Sequence, residues 1–415
     1  MSEVEMKEVS NNETTTVVVN DSPKETYEKG SNEDKNLQDV TSIPKKVDVE
    51  VKQVEQDGTM NSVQFAINIM KGIAGTGSLA VPNAIMSVGI IWGLILFFLV
   101  ALLYIYSSYI LITIQNTLGA RKNIGNGIIH TQNDYARICY IALGKPGYYI
   151  FNFAMLMTLY GAAIGTMIVM TDFLSSLPFL TDNYSMKRTL MQILLTILAI
   201  VLCLLKDPSL LVTISSFGLF ALVISFVLLF IYGITKSKFS YNTSYLFPTS
   251  TSDFFNKFGI LVYSLGFTLF LLSQLKHVKK AYRSRITNTI AVSVVLMAII
   301  YAVVGIVFFL LFASSPTGVP GNILNALPSN SFYNIVVSIL MVVTCIGGFP
   351  LYMGPAHEVV EGDWGEMTSN KYFITNKRYI LFRVIEIILI SIVAALVPSF
   401  SDILGFNILC VFDSV

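Results

Sequence analysis

From Ser62 onward the chain alternates apolar runs with polar connections. The runs are roughly 17 to 25 residues long, the length a helix needs to cross about 30 Å of hydrocarbon. The pattern predicts ten membrane helices: Ser62 to Met86, Ile90 to Ile114, Tyr148 to Thr171, Thr189 to Leu205, Leu210 to Ile234, Phe258 to Leu275, Thr289 to Ala313, Phe332 to Ala356, Tyr379 to Leu396 and Ile403 to Val415. The last would rise only about 20 Å as a helix. The reading therefore has a partial tenth helix, from a chain that stops inside the bilayer or a truncated gene product. Residues 1–60 show no sustained apolar period and almost no aromatics, too little to offset the entropy of ordering, so a disordered acidic cytosolic tail is expected there, followed by a membrane domain over 61–415. No basic start with a short apolar run and a cleavage site precedes the first helix, which is expected to target the chain itself.

Composition sharpens this picture. Hydrophobic residues make up 54% and charged residues 13% of the 415, against about 25% charged in a soluble chain, which excludes a soluble multidomain protein. The first 60 residues hold 14 acids and 7 bases. The net charge of +1 is thus a cancellation between an acidic tail and a basic membrane body, and carries no implication of nucleic acid. With the tail cytosolic, inside loops hold 13 Lys and Arg and outside loops 5, which favours a cytosolic N-terminus. Glycosylation signals at Asn183 and Asn242 fall outside in that topology, while those at Asn12 and Asn20 disagree; the basic residues decide.

The chemistry inventory is short. Cys139, Cys203, Cys345 and Cys410 form no Cys-x-x-Cys pair, and His130, His277 and His357 are scattered singly, so no disulfide framework, zinc site or other metal is expected. Neither a Walker loop nor a supported Ser/His/Asp arrangement occurs. Nothing here requires an enzyme or a cofactor.

Segment one is the anomaly. It reads Lys71-Gly72-Ile73-Ala74-Gly75-Thr76-Gly77-Ser78-Leu79-Ala80-Val81-Pro82. Gly is about 1 kcal/mol and Pro about 3 kcal/mol worse than Ala within a helix, and backbone freed at membrane depth must line a cavity or find partners. A broken helix is expected, with Gly72, Gly75, Thr76, Gly77 and Ser78 offering N–H groups to a carboxylate and carbonyls to an ammonium; small-residue helix packing is the blander alternative. In segment six, Tyr263, Ser264 and Gly266 give a weaker version of the pattern, also compatible with hydroxyls bonding back to their own helix. Segment eight carries Thr344 ahead of Gly347-Gly348-Phe349-Pro350, read as a kink whose Thr344 hydroxyl is a candidate for a small-cation site with segment one. Lys71 is expected to snorkel or close a gate on an acid, Arg383 and Glu386 to neutralise each other three residues apart, and Asp172 to end a helix in solvent.

The stretch Asn68-Ile69-Met70-Lys71-Gly72 through Pro82-Asn83-Ala84 resembles the first-helix signature of the amino acid/auxin permease superfamily, in particular its proton-coupled and vacuolar branch. Arg378 to Gly405, with Val397-Pro398-Ser399-Phe400, is similar to that family's ninth helix and the turn after it, and the likeness spans about Asn61 to Phe406. The resemblance implies an all-α inverted repeat of five plus five helices, discontinuous in the first and possibly the sixth, that moves neutral amino acids by alternating access. By position, Gly75, Thr76, Gly77 and Ser78 would hold the amino-acid backbone against a wall from segment six. Asn68 stands where the proton-coupled branch often has histidine, and sodium-coupled relatives often have asparagine nearby; Asn68 and Thr344 are the cation candidates. The expectation is a secondary transporter of small neutral amino acids, coupled to a proton or sodium ion, in a vacuolar, lysosomal or plasma membrane. Its partners are the amino acid, the ion and the lipid bilayer, with no nucleic acid. The rival is a non-transporting amino-acid sensor or a truncated regulatory subunit of the same fold.

Overall fold

The computed structural model describes residues 58–120, 133–178, 184–205, 208–237, 239–248, 250–314, 318–328, 331–362, 364 and 373–397. The tail over residues 1–57 and the segment Ile403 to Val415 lie outside the described residues, as do Pro398 to Phe400. Within the described residues the elements are helical: α1 (Ser62–Ile73), a 3-10 turn (Thr76–Leu79), α2 (Val81–Val88), α3 (Ile90–Ala120), α4 (Asp134–Ser175), α5 (Tyr184–Cys203), α6 (Pro208–Lys236), α7 (Thr251–Ser264), α8 (Thr268–Lys276), α9 (Ile286–Phe312), α10 (Phe332–Glu361) and α11 (Lys377–Leu396). Among the described residues, eight runs are long and apolar enough to cross a membrane, one of them the broken pair α7–α8. The interrupted run α1–turn–α2 lies where segment one was expected.

Local chemistry sets the ends. Asn61 caps α1 reciprocally: its side chain accepts from Gln64 N at 2.8 Å while Gln64 Oε1 accepts from Asn61 N at 3.0 Å. Ser250, Ser331 and Asn376 cap α7, α10 and α11 without that reciprocal bond, their side-chain oxygens accepting from backbone N–H groups. Pro82 sits in the first turn of α2, where a missing N–H costs nothing, and Gly89 ends α2 at φ +85°, a conformation that side chains disfavour. A Cβ there would also lie 2.6 Å from the Phe247 backbone.

Segment three differs from expectation at its start. The helix begins at Asp134 instead of Tyr148, because Asn133 caps a short amphipathic helix that continues into the membrane run across Gly144 (φ +69°) and Pro146. The hydropathy pattern misses this lead-in since it is amphipathic and sits outside the apolar stretch.

Two groups of helices emerge. In one, α1 and α2 pack on α9, α2 also on α7, and α3 on α9; in the other, α4 and α5 pack on each other and each on α10 and α11, with α6 laid along α10. The two broken runs, α1–α2 and α7–α8, occupy equivalent places at the head of the two halves of the chain, as an inverted repeat requires. The outer faces carry Phe98, Leu103, Phe217, Phe220 and Leu381, exposed large apolar side chains on long apolar helices, which is the surface hydrocarbon accepts.

Candidate functional site

Helix α1 stops at Ile73 because Ala74 (φ −73°, ψ 64°) and Gly75 (φ −104°, ψ −165°) leave the helical region. The freed carbonyls are taken up locally. Ile73 O accepts from the Tyr301 hydroxyl at 2.9 Å, and Gly75 O accepts from Ser78 Oγ at 2.8 Å and Ser78 N at 3.2 Å. Ala74 O accepts from Lys71 Nζ at 2.9 Å. The N–H groups at the start of the following 3-10 turn, those of Thr76 and Gly77, have no acceptor within their own turn.

The second break faces the first. Helix α7 ends at Ser264, Leu265 to Phe267 are non-helical, and α8 starts at Thr268 with Phe267 as its N-cap residue. Ser264 Oγ donates to Leu261 O, and Gly266 N to Tyr263 O. Gly77 is the contact point: a Cβ there would lie 3.5 Å from Ser264 Cα and 3.6 Å from the Tyr263 ring. The turn is buried at Thr76, Gly77 and Ser78, whereas Gly75, Tyr263 and Gly266 stay half-buried beside it. Of the residues singled out from sequence, Gly72, Gly75, Thr76, Gly77, Ser78, Tyr263, Ser264 and Gly266 therefore belong to one pair of facing breaks.

Aromatic side chains close this region, and the sequence reading did not name them. The Phe270 ring lies over Gly72, where an added Cβ would come within 1.9 Å of it; Tyr352 Oη reaches Gly75, and Tyr104 Oη reaches Gly266. Tyr104, Phe267, Phe270 and Tyr352 form a chain of ring contacts with centroids 5.8 to 6.5 Å apart. No sequence signal marks isolated aromatics within apolar runs as site residues; only the opposing glycines reveal them.

The expected cation pair is not brought together by its polar atoms. Asn68 Nδ2 donates to Gln274 Oε1 at 3.0 Å, and Thr344 Oγ1 donates to Gly218 O and Leu340 O, both at 3.0 Å. Lys71 Nζ lies at the free end of α1, donating to Ala74 O. It is fully buried, and Gly218, Gly347 and Gly348 from α6 and α10 leave room for it: Cβ atoms at these positions would lie 2.9, 3.3 and 3.2 Å from its Cε or Nζ. Among the described residues it meets no acid, and it does not snorkel: three glycines give it a buried slot and the Ala74 carbonyl accepts from it.

The Arg383–Glu386 pairing is also corrected. Arg383 turns to Glu361, with Nε and Nη2 donating at 2.6 and 2.8 Å, and its Nη1 donates to Cys203 O at 2.6 Å. Glu386 instead accepts from the Tyr160 hydroxyl at 2.6 Å and meets His357 Nε2 at 2.7 Å. Planar bidentate geometry to a carboxylate across the helix interface beats a same-helix neighbour. Asp172, expected free in solvent, is half-exposed and pairs with Arg188 at 3.3 Å.

At one end of the bundle, the segment leading into α1 is latched to the end of α8. Met60 N donates to His277 O at 2.8 Å and Lys279 N to Met60 O at 3.0 Å. Lys276 bridges Glu358 at 3.2 Å and Asp134 at 3.7 Å, joining α8 to α10 and α4.

A membrane bundle whose two halves each open with a broken helix, the breaks facing at mid-run, is a carrier of small solutes. The chain belongs to the transmembrane amino acid transporter protein family, whose pattern matches residues 58–407. It is 23% identical to the amino acid transporter AVT3B of Arabidopsis thaliana over 353 residues, 81% of this chain and 78% of that one. It is also 23% identical to vacuolar amino acid transporter 7 of Saccharomyces cerevisiae over 321 residues, 75% of this chain and 62% of the relative. The fold is shared with a Na+-coupled sialic acid symporter in a substrate-bound outward-open state, at a TM-score of 0.58 and 13% identity over 82% of this chain and 72% of that one. The chain is thus a multi-pass membrane protein of transmembrane amino acid transport, in a family of transporters and not of enzymes.

Proposed function

We propose that the chain is a secondary active transporter that couples a proton to the movement of small neutral amino acids by alternating access. The observation that carries this reading is the junction of the two breaks at Gly77 and Ser264. The N–H groups of Thr76 and Gly77 suit a carboxylate, and the last carbonyls of α7 suit an ammonium, each with the favourable end of its helix dipole. The surrounding Tyr104, Tyr263, Phe270 and Tyr352 are bulky and carry no fixed charge, which suits a short, uncharged side chain.

Proton coupling is favoured over sodium by Lys71, whose ammonium already holds Ala74 O at the end of α1. An alkali ion there would compete with the lysine nitrogen for the same carbonyl. The latch of Met60 with His277 and Lys279, together with the Lys276 bridges, closes the face that basic loops assign to the cytosol. The two relatives, one of them named as vacuolar, support a vacuolar or lysosomal membrane.

The test is uptake of labelled neutral amino acids into proteoliposomes holding the full chain, with proton and sodium gradients imposed separately. Accumulation on a proton gradient alone is the expected result. Saturable binding with no uptake under either gradient would replace the transporter with a sensor of the same fold.

A further inference from the structure

We propose that His357 and Glu386 form a proton-binding site, apart from the substrate breaks, that carries the coupling proton. This rests on the reading of the chain as a proton-coupled transporter. The site lies where α4, α5, α10 and α11 meet. His357 and Glu386 have side chains only 5% and 6% exposed, and they touch through Nε2 and Oε2 at 2.7 Å.

Charge accounting singles out this pair. The cluster holds two carboxylates, Glu361 and Glu386, and one guanidinium, Arg383. Arg383 is committed to Glu361 by two bonds and to Cys203 O by a third, so that pair is neutral by itself. Glu386 is left with the Tyr160 hydroxyl and His357, neither of which carries a fixed charge. A buried carboxylate with no permanent counter-ion is costly, and the cost vanishes when one proton is added to the dyad. That proton resides on the imidazole or on the carboxyl, and either placement makes the cluster neutral. The remaining groups facing this region do not substitute for it: Glu358 points to Ser273 and Lys276 of α8, Lys71 of α1 meets Gly348, and α6 presents Ser215 to Gly347 O.

The connection to the breaks runs along α10. His357 stands five residues beyond Tyr352, whose hydroxyl reaches Gly75, and nine beyond Gly348, which contacts Lys71. Between these contacts lie Pro350 and Pro355, each removing a helical N–H bond. A helix weakened twice between its proton site and its contact with α1 can take two arrangements, and loading or removing a proton at one end biases which is adopted.

The experiment uses the full chain in proteoliposomes, with labelled alanine as probe. Two assays are compared: accumulation on an imposed proton gradient, and counterflow, which exchanges substrate without any gradient. Glu386→Gln and His357→Gln are expected to lower accumulation about ten-fold or more and flatten its pH dependence, while counterflow stays within about two-fold of the unsubstituted chain. Accumulation and a pH profile equal to the unsubstituted chain would overturn the proposal.

A second measurement covers variants that fail to fold. His130→Gln with His277→Gln leaves His357 as the lone histidine of three, and its nitrogen-15 signals are followed from about pH 5 to about pH 8 with and without alanine. Signals that change with pH as the dyad gains its proton, and that change differently with alanine, are expected; signals that respond to neither pH nor alanine overturn the site. If the unsubstituted chain shows counterflow but accumulates on sodium alone, the transporter stands and the proton site falls. If it shows neither counterflow nor accumulation, the transporter reading itself fails.

Discussion

Lys71 donates from Nζ to the carbonyl of Ala74, 2.9 Å away and three residues on, so that α1 caps its own broken end with its own side chain. The ammonium is fully buried, walled by glycines of α6 and α10. Lys71→Met keeps the bulk but leaves the Ala74 carbonyl without its donor. A loss of about 1 to 3 kcal/mol in stability is expected, the ordinary cost of an orphaned buried acceptor. Thermal unfolding in detergent and proteoliposome uptake measure it; unchanged melting together with unchanged uptake would contradict the role given to this bond.

Gly72 leaves no room for a methyl group, since its Cβ would enter the Phe270 ring. Gly72→Ala is expected to destabilise by about 1 to 3 kcal/mol, as overpacking does. Phe270→Leu in the same chain should recover much of that loss, because the clash is with the ring alone. A double-mutant cycle on melting temperature checks the coupling, and strict additivity would show that the two do not meet.

Lys276 ties α8 to Glu358 and Asp134 at the latched end. Lys276→Gln removes the charge from both bridges at once. In a chain carrying Ser264→Cys, a membrane-impermeant thiol reagent applied from the side of Met60 should then label position 264 several times faster, since the barrier to opening is lower. Equal labelling rates would place the closure elsewhere.

His277 sits just past α8, where burial first and the neighbouring Lys276 second push its imidazole below the usual 6.5. The folded state thus disfavours the second proton. The stability held above pH 6.5 is lost as pH falls from there through the lowered value, because the unfolded chain binds the proton first. His277→Gln should flatten this acid-side decline in a melting profile against pH. A decline of the same slope in the variant would assign it to other groups.

The architecture was largely readable because lipid imposes long apolar runs. The break in segment one was readable because Gly75, Gly77 and Pro82 are poor helix formers at membrane depth. The break in segment six carries one glycine, Gly266, and its weaker pattern still ended α7 at Ser264. What escaped was partner choice. Arg383 and Glu386 look paired on one helix, but the helix packing sets Glu361 and His357 before them, and such contacts leave no local trace. Lys71 misled for the same reason: its acceptor is its own backbone, and its slot is cut by Gly218, far away in sequence.

In the proposed transport cycle, the pairing of Met60 with His277 and Lys279 would set the tempo. Two main-chain bonds of 2.8 and 3.0 Å hold that face shut, together worth about 1 to 3 kcal/mol by the usual net value of such bonds. If the proposed cycle breaks them at each turnover, they bias shut over open by roughly five- to 150-fold, a ratio small enough to be overcome by binding of one solute. Because the bonds are made by N–H and C=O groups, ordinary side-chain substitutions leave them in place, and proline at position 60 or 279 would remove one of the two. The face is therefore an adjustable clock, slow or fast by a single backbone hydrogen bond.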